Sequence, residues 1–429
     1  MPAIAKILTV FFLMLLVTRA RVPLGLSLPT GGVLLARWVG QSWREALAGL
    51  WDALVGAELW MFVLITFLII DVARYITKRE NATQITAAIQ RWGGRHGAAC
   101  ALMAVPAAIG LIPMAAGALF SAPFVQEVGQ RIQAESNWKT VVNFWFRHVW
   151  ECWWPLYGGV IVGMSIFEMD AWQFIAVQLP YTPVAVAAGF FFLVRPHLDN
   201  LAKLEDAANG SARRVMVLTM PLCCVVAAIF LVPLGLRAWG VELDVTIRKM
   251  LALLVGLAGG MVLILIDEIK QHDVHIFASA LKLRSWSVLF SVAGVMIFKE
   301  MLDGTGVLDT ASHELAMSGI PVGVVIAVLP FLAGLVTGLG IGFAGASFPL
   351  VAGLMGAAGS PLTPLATLVL AYGAGFVGMM VSPVHLCLLT TKQYFKADFV
   401  SIYRELLPCA AVVLVYAFCA YMVLGAMGL

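Results

Sequence analysis

Residues 110–120 read GLIPMAAGALF, and residues 338–348 read GLGIGFAGASF. Sliding the chain on itself by 228 residues aligns the two. Six of the eleven positions are identical: Gly110/Gly338, Leu111/Leu339, Ala116/Ala344, Gly117/Gly345, Ala118/Ala346 and Phe120/Phe348. The same offset, without gaps, places Pro155 on Pro383, the apolar run 23–39 on 251–267, and 58–76 on 286–304. Self-similarity at a fixed offset bears on architecture before any single element does. It predicts one domain, 1–429, built of two repeats, 1–200 and 213–429.

Composition fixes the solvent of that domain. Of 429 residues, 61% are hydrophobic and 12% charged, about half the charged share of a soluble domain. A soluble chain of this length would need more polar surface to cover its core. The net charge of +3, with no basic tail, excludes nucleic acid as a partner. The seven cysteines lie mostly inside apolar runs and show no CxxC spacing, so the pattern points to no zinc site, redox pair or cofactor. What remains is an all-α polytopic membrane protein. A spanning helix needs roughly 20 apolar residues. Runs near 3–18, 23–39, 58–76, 97–112, 140–165, 171–194, 213–236, 247–267, 285–303, 317–337, 362–389 and 405–427 give about 10–12 transmembrane helices. The first run ends at Thr18-Arg19-Ala20-Arg21, a poor cleavage site, and is read as a retained span. The stretches 112–128 and 338–358 follow directly on spans and are too rich in glycine and proline for ordinary crossings.

Charge gives the two repeats a direction. Loop 72–96 carries Arg74, Lys78, Arg79, Arg91 and Arg95 against the single acid Glu80. Its counterpart, 300–324, has no Lys or Arg and carries Glu300, Asp303, Asp309 and Glu314. The positive-inside rule puts these equivalent loops on opposite faces, as in the inverted repeats of secondary transporters. Twelve simple crossings, six between equivalent spans, would instead make the repeats parallel. Either one apolar run is not a full crossing or the repeat is not inverted.

Candidate functional residues follow from what is costly in a bilayer. Irregular backbone is tolerated at membrane depth only beside protein or a water-filled cavity. The two AGA stretches are candidates for such breaks, with Ala116, Gly117, Ala118 and Ser121 in the first and Gly345, Ala346 and Ser347 in the second. Broken helices present N–H groups that attract anions; close packing through small residues is the other reading. The segment from Asn143 to Tyr157 holds Arg147, His148 and Glu151 at spacings that share a helix face. Each ionisable group at the bilayer centre costs about 2.5–3.5 kcal/mol on insertion scales. Arg147 could hold an oxyanion in its planar fork, with Asn143 beside it, while His148 and Glu151 could exchange protons. Four tryptophans, Trp145, Trp150, Trp153 and Trp154, also fit an interfacial belt in which Arg147 and Glu151 simply pair. At the corresponding place in the second half, Ser382 and His385 flank Pro383, which breaks a helix and frees carbonyls. Asp267, Glu268, His272, Asp273 and His275 are metal-ligand types at short spacing, though a solvated loop accounts for them too.

The runs GLIPMAAGALFSAPFV, NFWFRHVWE with WPLY, FPLV and SPVHLCLLTTKQYF resemble an uncharacterised family of prokaryotic integral membrane proteins, domain of unknown function 401. The resemblance covers essentially the whole chain. That family is grouped with the ion transporter superfamily, which includes gluconate, citrate and dicarboxylate permeases. The resemblance implies a multi-pass protein of the prokaryotic inner membrane, with inverted repeats, two re-entrant hairpins and elevator-type transport. Where the family has Met-Pro-Gly-Gly, this chain has Met114-Ala115-Ala116-Gly117, so its first hairpin is expected to be more helical. The leading expectation is a secondary active permease, not an enzyme, for a small anionic metabolite coupled to H⁺ or Na⁺. A passive channel and an intramembrane metal-dependent enzyme using Asp267–His275 are the alternatives. Expected partners are the substrate and the bilayer, with a homodimer among the options.

Overall fold

The computed structural model describes residues 2–20, 22–76, 78, 81, 97–111, 117–201, 212–243, 245–275, 283–307, 310, 314, 321–355 and 363–429. Among them the regular elements are all helical. The first half contains α1 (Ala3–Arg19), α2 (Leu24–Trp38), α3 (Trp43–Val55), α4 (Ala57–Ile76), α5 (Gly97–Gly110), α6 (Ala118–Arg131), α7 (Ser136–Arg147) and α8 (Gly158–Ile166). Next come α9 (Ala171–Gln178) and α10 (Tyr181–Gly189), which runs through a π turn and a 3-10 turn into α11 (Leu198–Leu201). The second half holds α12 (Ala212–Ala238), α13 (Val245–Lys270), α14 (Leu283–Asp303), α15 (Val322–Thr337), α16 (Gly340–Met355), α17 (Pro364–Met380), α18 (Leu386–Phe395) and α19 (Phe399–Ala426). Among the described residues, five stretches are long and apolar enough to cross a bilayer: Ala57–Ile76, Ala171–Leu201, Met216–Ala238, Met250–Lys270 and Phe399–Ala426. The chain is a polytopic helical membrane protein.

Two expected spans are interrupted by several residues of non-helical backbone. The run 140–165 is α7, a series of turns and α8, and the run 362–389 is α17, a short break and the start of α18. Pro155 and Pro383 supply no N–H to continue a helix, and each lies within its break. α15 and α16, at 16 residues each, are about 24 Å long, shorter than a bilayer core. α5 packs against α6, and α15 against α16, as two helical hairpins. Helix α3 was not anticipated; a capping box starts it, with Glu45 N–H donating to Ser42 Oγ at 3.2 Å and Ser42 N–H donating to Glu45 Oε2 at 2.6 Å.

Three helices of the first half have counterparts at the same offset in the second. α7 and α17, α8 and α18, and α9 and α19 begin 228 residues apart. α2 packs on α14 and its counterpart α13 packs on α4; α8 packs on α16 and α18 on α6. Counterpart helices run antiparallel where they meet. Glu58, at the start of α4, pairs with Lys299, near the end of α14, at 3.5 Å. The Tyr181 and Tyr416 rings lie 4.8 Å apart, and Cys409 Sγ lies 3.7 Å from the Ala188 carbonyl. Adding 228 to Tyr181 gives Cys409, and adding it to Ala188 gives Tyr416, so one contact maps onto the other. Loop 72–96, which carries the positive side of the charge contrast, lies largely outside the described residues, as does 308–320 apart from Thr310 and Glu314.

The Asp267–His275 group is an ion-pair clasp. Glu268, 1% exposed, takes Arg74 at 3.2 Å and Lys78 at 3.4 Å, and accepts the His275 N–H at 2.8 Å. Tyr75 donates its hydroxyl to Asp267 at 2.5 Å. Lys78 and His275 both reach Asp273, and the Lys78 hydrogen bond holds that carboxyl below its usual range. The carboxylates thus tie the end of α4 to the end of α13, and they form no metal-ligand group among the described residues. Removing one partner of a buried pair costs about 3 kcal/mol. Glu268→Gln is therefore expected to lower the melting temperature in detergent, whereas Asp273→Asn, at an exposed position, leaves it nearly unchanged. Equal melting of Glu268→Gln and the native protein counts against the clasp.

Candidate functional site

Both breaks open into the middle of the bundle. In the first half α7 ends at Arg147, with His148 as its cap. Arg147, His148 and Glu151 therefore do not share a helix face as their spacing predicted. The freed carbonyls are met locally and by neighbours. Thr182 donates to Val149 O at 2.6 Å, and Tyr372 donates to Glu151 O at 3.0 Å. The tryptophans act here too: Trp145 donates to Ala185 O, Trp150 to Ala107 O and Trp153 to Thr182 Oγ1, all at 2.7–2.8 Å. Three of the four indoles therefore brace the break through their N–H groups.

Arg147 is the most deeply buried charge of the segment, 2% exposed. Its Nη1 donates to the Ile109 carbonyl at 3.3 Å, at the end of α5. Gly110 is required beside it. A Cβ on Gly110 would fall 2.0 Å from the Arg147 carbonyl oxygen. Tyr157 donates its hydroxyl to Gly110 O and closes the same junction. Asn143 is also buried; its amide donates to Ala118 O at 2.8 Å, while its Oδ1 has no hydrogen-bond partner. Glu151, 9% exposed, brings Oε2 within 3.9 Å of His148 Nε2, and that oxygen accepts no hydrogen bond. Glu151 also lines a cavity of about 130 Å³ between α4, α14, α8 and the start of α16.

The second half contributes from its own breaks. Gly338, in a left-handed conformation at φ +62°, ends α15, a conformation that glycine takes without strain. Ser382 donates to Leu335 O at 2.6 Å and ties that helix end to the α17–α18 break. His385 caps α18; its ring stands edge-on to His148 with centroids 4.9 Å apart, and both rings lie against Phe144. Cys387 lies beside them, within reach of both imidazoles and of Arg147. Sequence reasoning missed Cys387, although it stands two residues after His385 in the SPVHLCL run.

The expected glycine breaks are displaced. Gly345, Ala346 and Ser347 lie inside α16. A Cβ on Gly345 would meet Val295 of α14 at 2.3 Å, and Ser347 donates to Phe343 O at 2.7 Å. Here the small residues serve close helix packing, and the break falls at Gly338 instead. In the first half Gly117 caps α6, Ala118 begins it, and Ser121 donates to Ala118 O at 3.3 Å. Ala116 lies outside the described residues. So the structure gathers Arg147, His148, Glu151 and His385, ties Asn143 to the start of α6, and commits Ser121, Ser347 and Ser382 to backbone carbonyls.

The family follows from a model that spans both breaks. Residues 3–424 match the family described as protein of unknown function (DUF401). The chain belongs to that family. None of the curated proteins matches it. This DUF401 chain carries all the site residues above inside the matched range.

Proposed function

We propose that this DUF401 protein is a secondary active transporter of a small anionic organic metabolite, coupled to H⁺ or Na⁺. We also propose that its halves are inverted repeats moving in an elevator-type cycle in a prokaryotic inner membrane. The observation that carries the reading is Arg147, a guanidinium buried where two helix breaks meet. Glu151 Oε2 in the break, and Asn143 Oδ1 one turn before Arg147 on α7, are buried without hydrogen-bond partners. A guanidinium is tolerated in such a place only with partners such as the Ile109 carbonyl, and its planar fork suits a carboxylate. His148 and Glu151 are the groups proposed to exchange the coupling proton. The antiparallel contacts of α4 with α14 and of α10 with α19 support the inverted relation.

Counterflow in liposomes tests the proposal. Purified protein is screened by thermal shift against gluconate, citrate and a four-carbon dicarboxylate, since a ligand that binds only the folded form raises its melting point. The stabilising anion is then loaded inside vesicles and its labelled form supplied outside. A carrier gives a transient overshoot of label. Flux without trans-stimulation points to a channel and overturns the carrier reading.

A further inference from the structure

The paired imidazoles carry a feature that anion transport does not use. His148 Nδ1 lies 2.6 Å from the Phe144 carbonyl, and His385 Nδ1 lies 3.1 Å from the Met379 carbonyl. A carbonyl oxygen can only accept, so each Nδ1 carries the proton. In the neutral rings both Nε2 atoms then present lone pairs. One ring nitrogen of each histidine and the Cys387 sulfur all lie within 4.8 Å of one another. A single thiol proton cannot satisfy two imidazole lone pairs. A metal ion satisfies both and takes the thiolate as well. Anchoring Nδ1–H on a backbone carbonyl is how metal-bound histidines are commonly oriented.

We propose that His148, His385 and Cys387 bind a zinc-class transition-metal ion, with Glu151 completing a tetrahedral set. Nitrogen and thiolate are the donors that such ions select. Zn–N bonds of about 2.0–2.1 Å and Zn–S bonds of about 2.3 Å put tetrahedral ligands roughly 3.3–3.6 Å apart. The donor atoms of His148, His385 and Cys387, no more than 4.8 Å apart, therefore close in by at most about 1.2–1.5 Å to reach those separations. Glu151 Oε2, without a hydrogen bond, stands at nearly the needed separation from His148 Nε2, 3.9 Å, and turns toward the other two donors when the ion binds. Glu151 also lines the cavity between α4, α14, α8 and the start of α16, so its carboxylate stands between that space and His148. On binding, the Cys387 thiol releases its proton to water and no electrons move. His148 and Glu151 come from the first half, His385 and Cys387 from the second, so a bound ion joins the halves at their breaks. The sequence showed no ligand spacing because the ligands meet only through the fold. With the ion bound, His148 and Glu151 no longer exchange the proton that the transport reading gives them, yet the inference is tested separately, since it is read on purified protein with no flux.

The purified chain is stripped with chelator and titrated with Co²⁺ and Zn²⁺. One tightly held equivalent per chain is expected, with tetrahedral visible bands and a thiolate-to-cobalt charge-transfer band in the near ultraviolet. Cys387→Ser is expected to remove the charge-transfer band and weaken Zn²⁺ binding tenfold or more. His385→Gln supplies the same test if the cysteine variant does not fold. A titration without the thiolate band overturns the proposal. So does Zn²⁺ binding that both variants leave unchanged but Asp273→Asn abolishes, which would place the ion on the clasp. A cobalt spectrum of the expected form in a protein that gives no counterflow supports the metal site and overturns only the transport reading.

Discussion

Arg147→Lys will transport about ten- to a hundredfold more slowly than the native protein, with expression and melting close to normal. Lysine keeps the charge but replaces a planar fork with a point donor. A hydrogen bond to a charged group contributes about 1.5–3 kcal/mol, and each 1.4 kcal/mol is tenfold. The Ile109 carbonyl, which Arg147 Nη1 reaches at 3.3 Å, remains available to the ammonium, so folding has little reason to suffer. Counterflow rate at several substrate concentrations is the measurement. If Arg147→Lys matches the native rate, the guanidinium only braces the α5–α7 junction and the anion-site reading fails. Glu151→Gln separates the second role. It keeps the shape but removes the titrating carboxylate beside His148. Transport should lose much of its pH dependence while substrate affinity changes little. An unaltered pH profile would remove Glu151 from the coupling step.

Much of this arrangement could be read from the residues. The offset of 228 anticipated where α7, α8 and α9 have counterparts, because helix starts are local events set by caps, prolines and turns. Gly110 and Gly338 were already paired in the aligned stretches, and both end a helix. What the alignment could not say is which of several glycines breaks the chain. Small residues permit a break and also permit close packing. The neighbour decides between them: Val295 against Gly345, and the His385 backbone against Gly338. The polar cluster shows the same division. Arg147, His148 and Glu151 stand out because each is costly in an apolar run. Their common helix face was an extrapolation of periodicity past the end of α7. His385 and Cys387 join them only through packing across the halves, which no spacing within one segment records. The Asp267–His275 group was ambiguous because its partners Arg74 and Lys78 lie almost two hundred residues away.

The heaviest effect on folding is expected at Gly110. Its Cβ would stand 2.0 Å from the Arg147 carbonyl oxygen, 2.9 Å from the carbonyl carbon and 3.2 Å from the Cα. All three are backbone atoms, so no side chain can rotate away. Relief requires moving the end of α5 off the end of α7. That shift also pulls on the Gly110 carbonyl held by the Tyr157 hydroxyl. Overpacking a tight core costs about 1–3 kcal/mol and sometimes more, and a backbone clash belongs at the top of that range. Gly110→Ala should therefore lower the melting temperature in detergent strongly. Any folded fraction should transport poorly, because Arg147 is displaced with its own backbone. The proper control is Gly235→Ala in α12 or Gly425→Ala in α19, where a Cβ meets nothing within 4 Å. There alanine should be neutral or slightly stabilising, since it removes backbone freedom without a contact. Gly110→Ala melting alongside these controls would mean that α5 and α7 sit farther apart than described, and the junction that positions Arg147 would have to be redrawn.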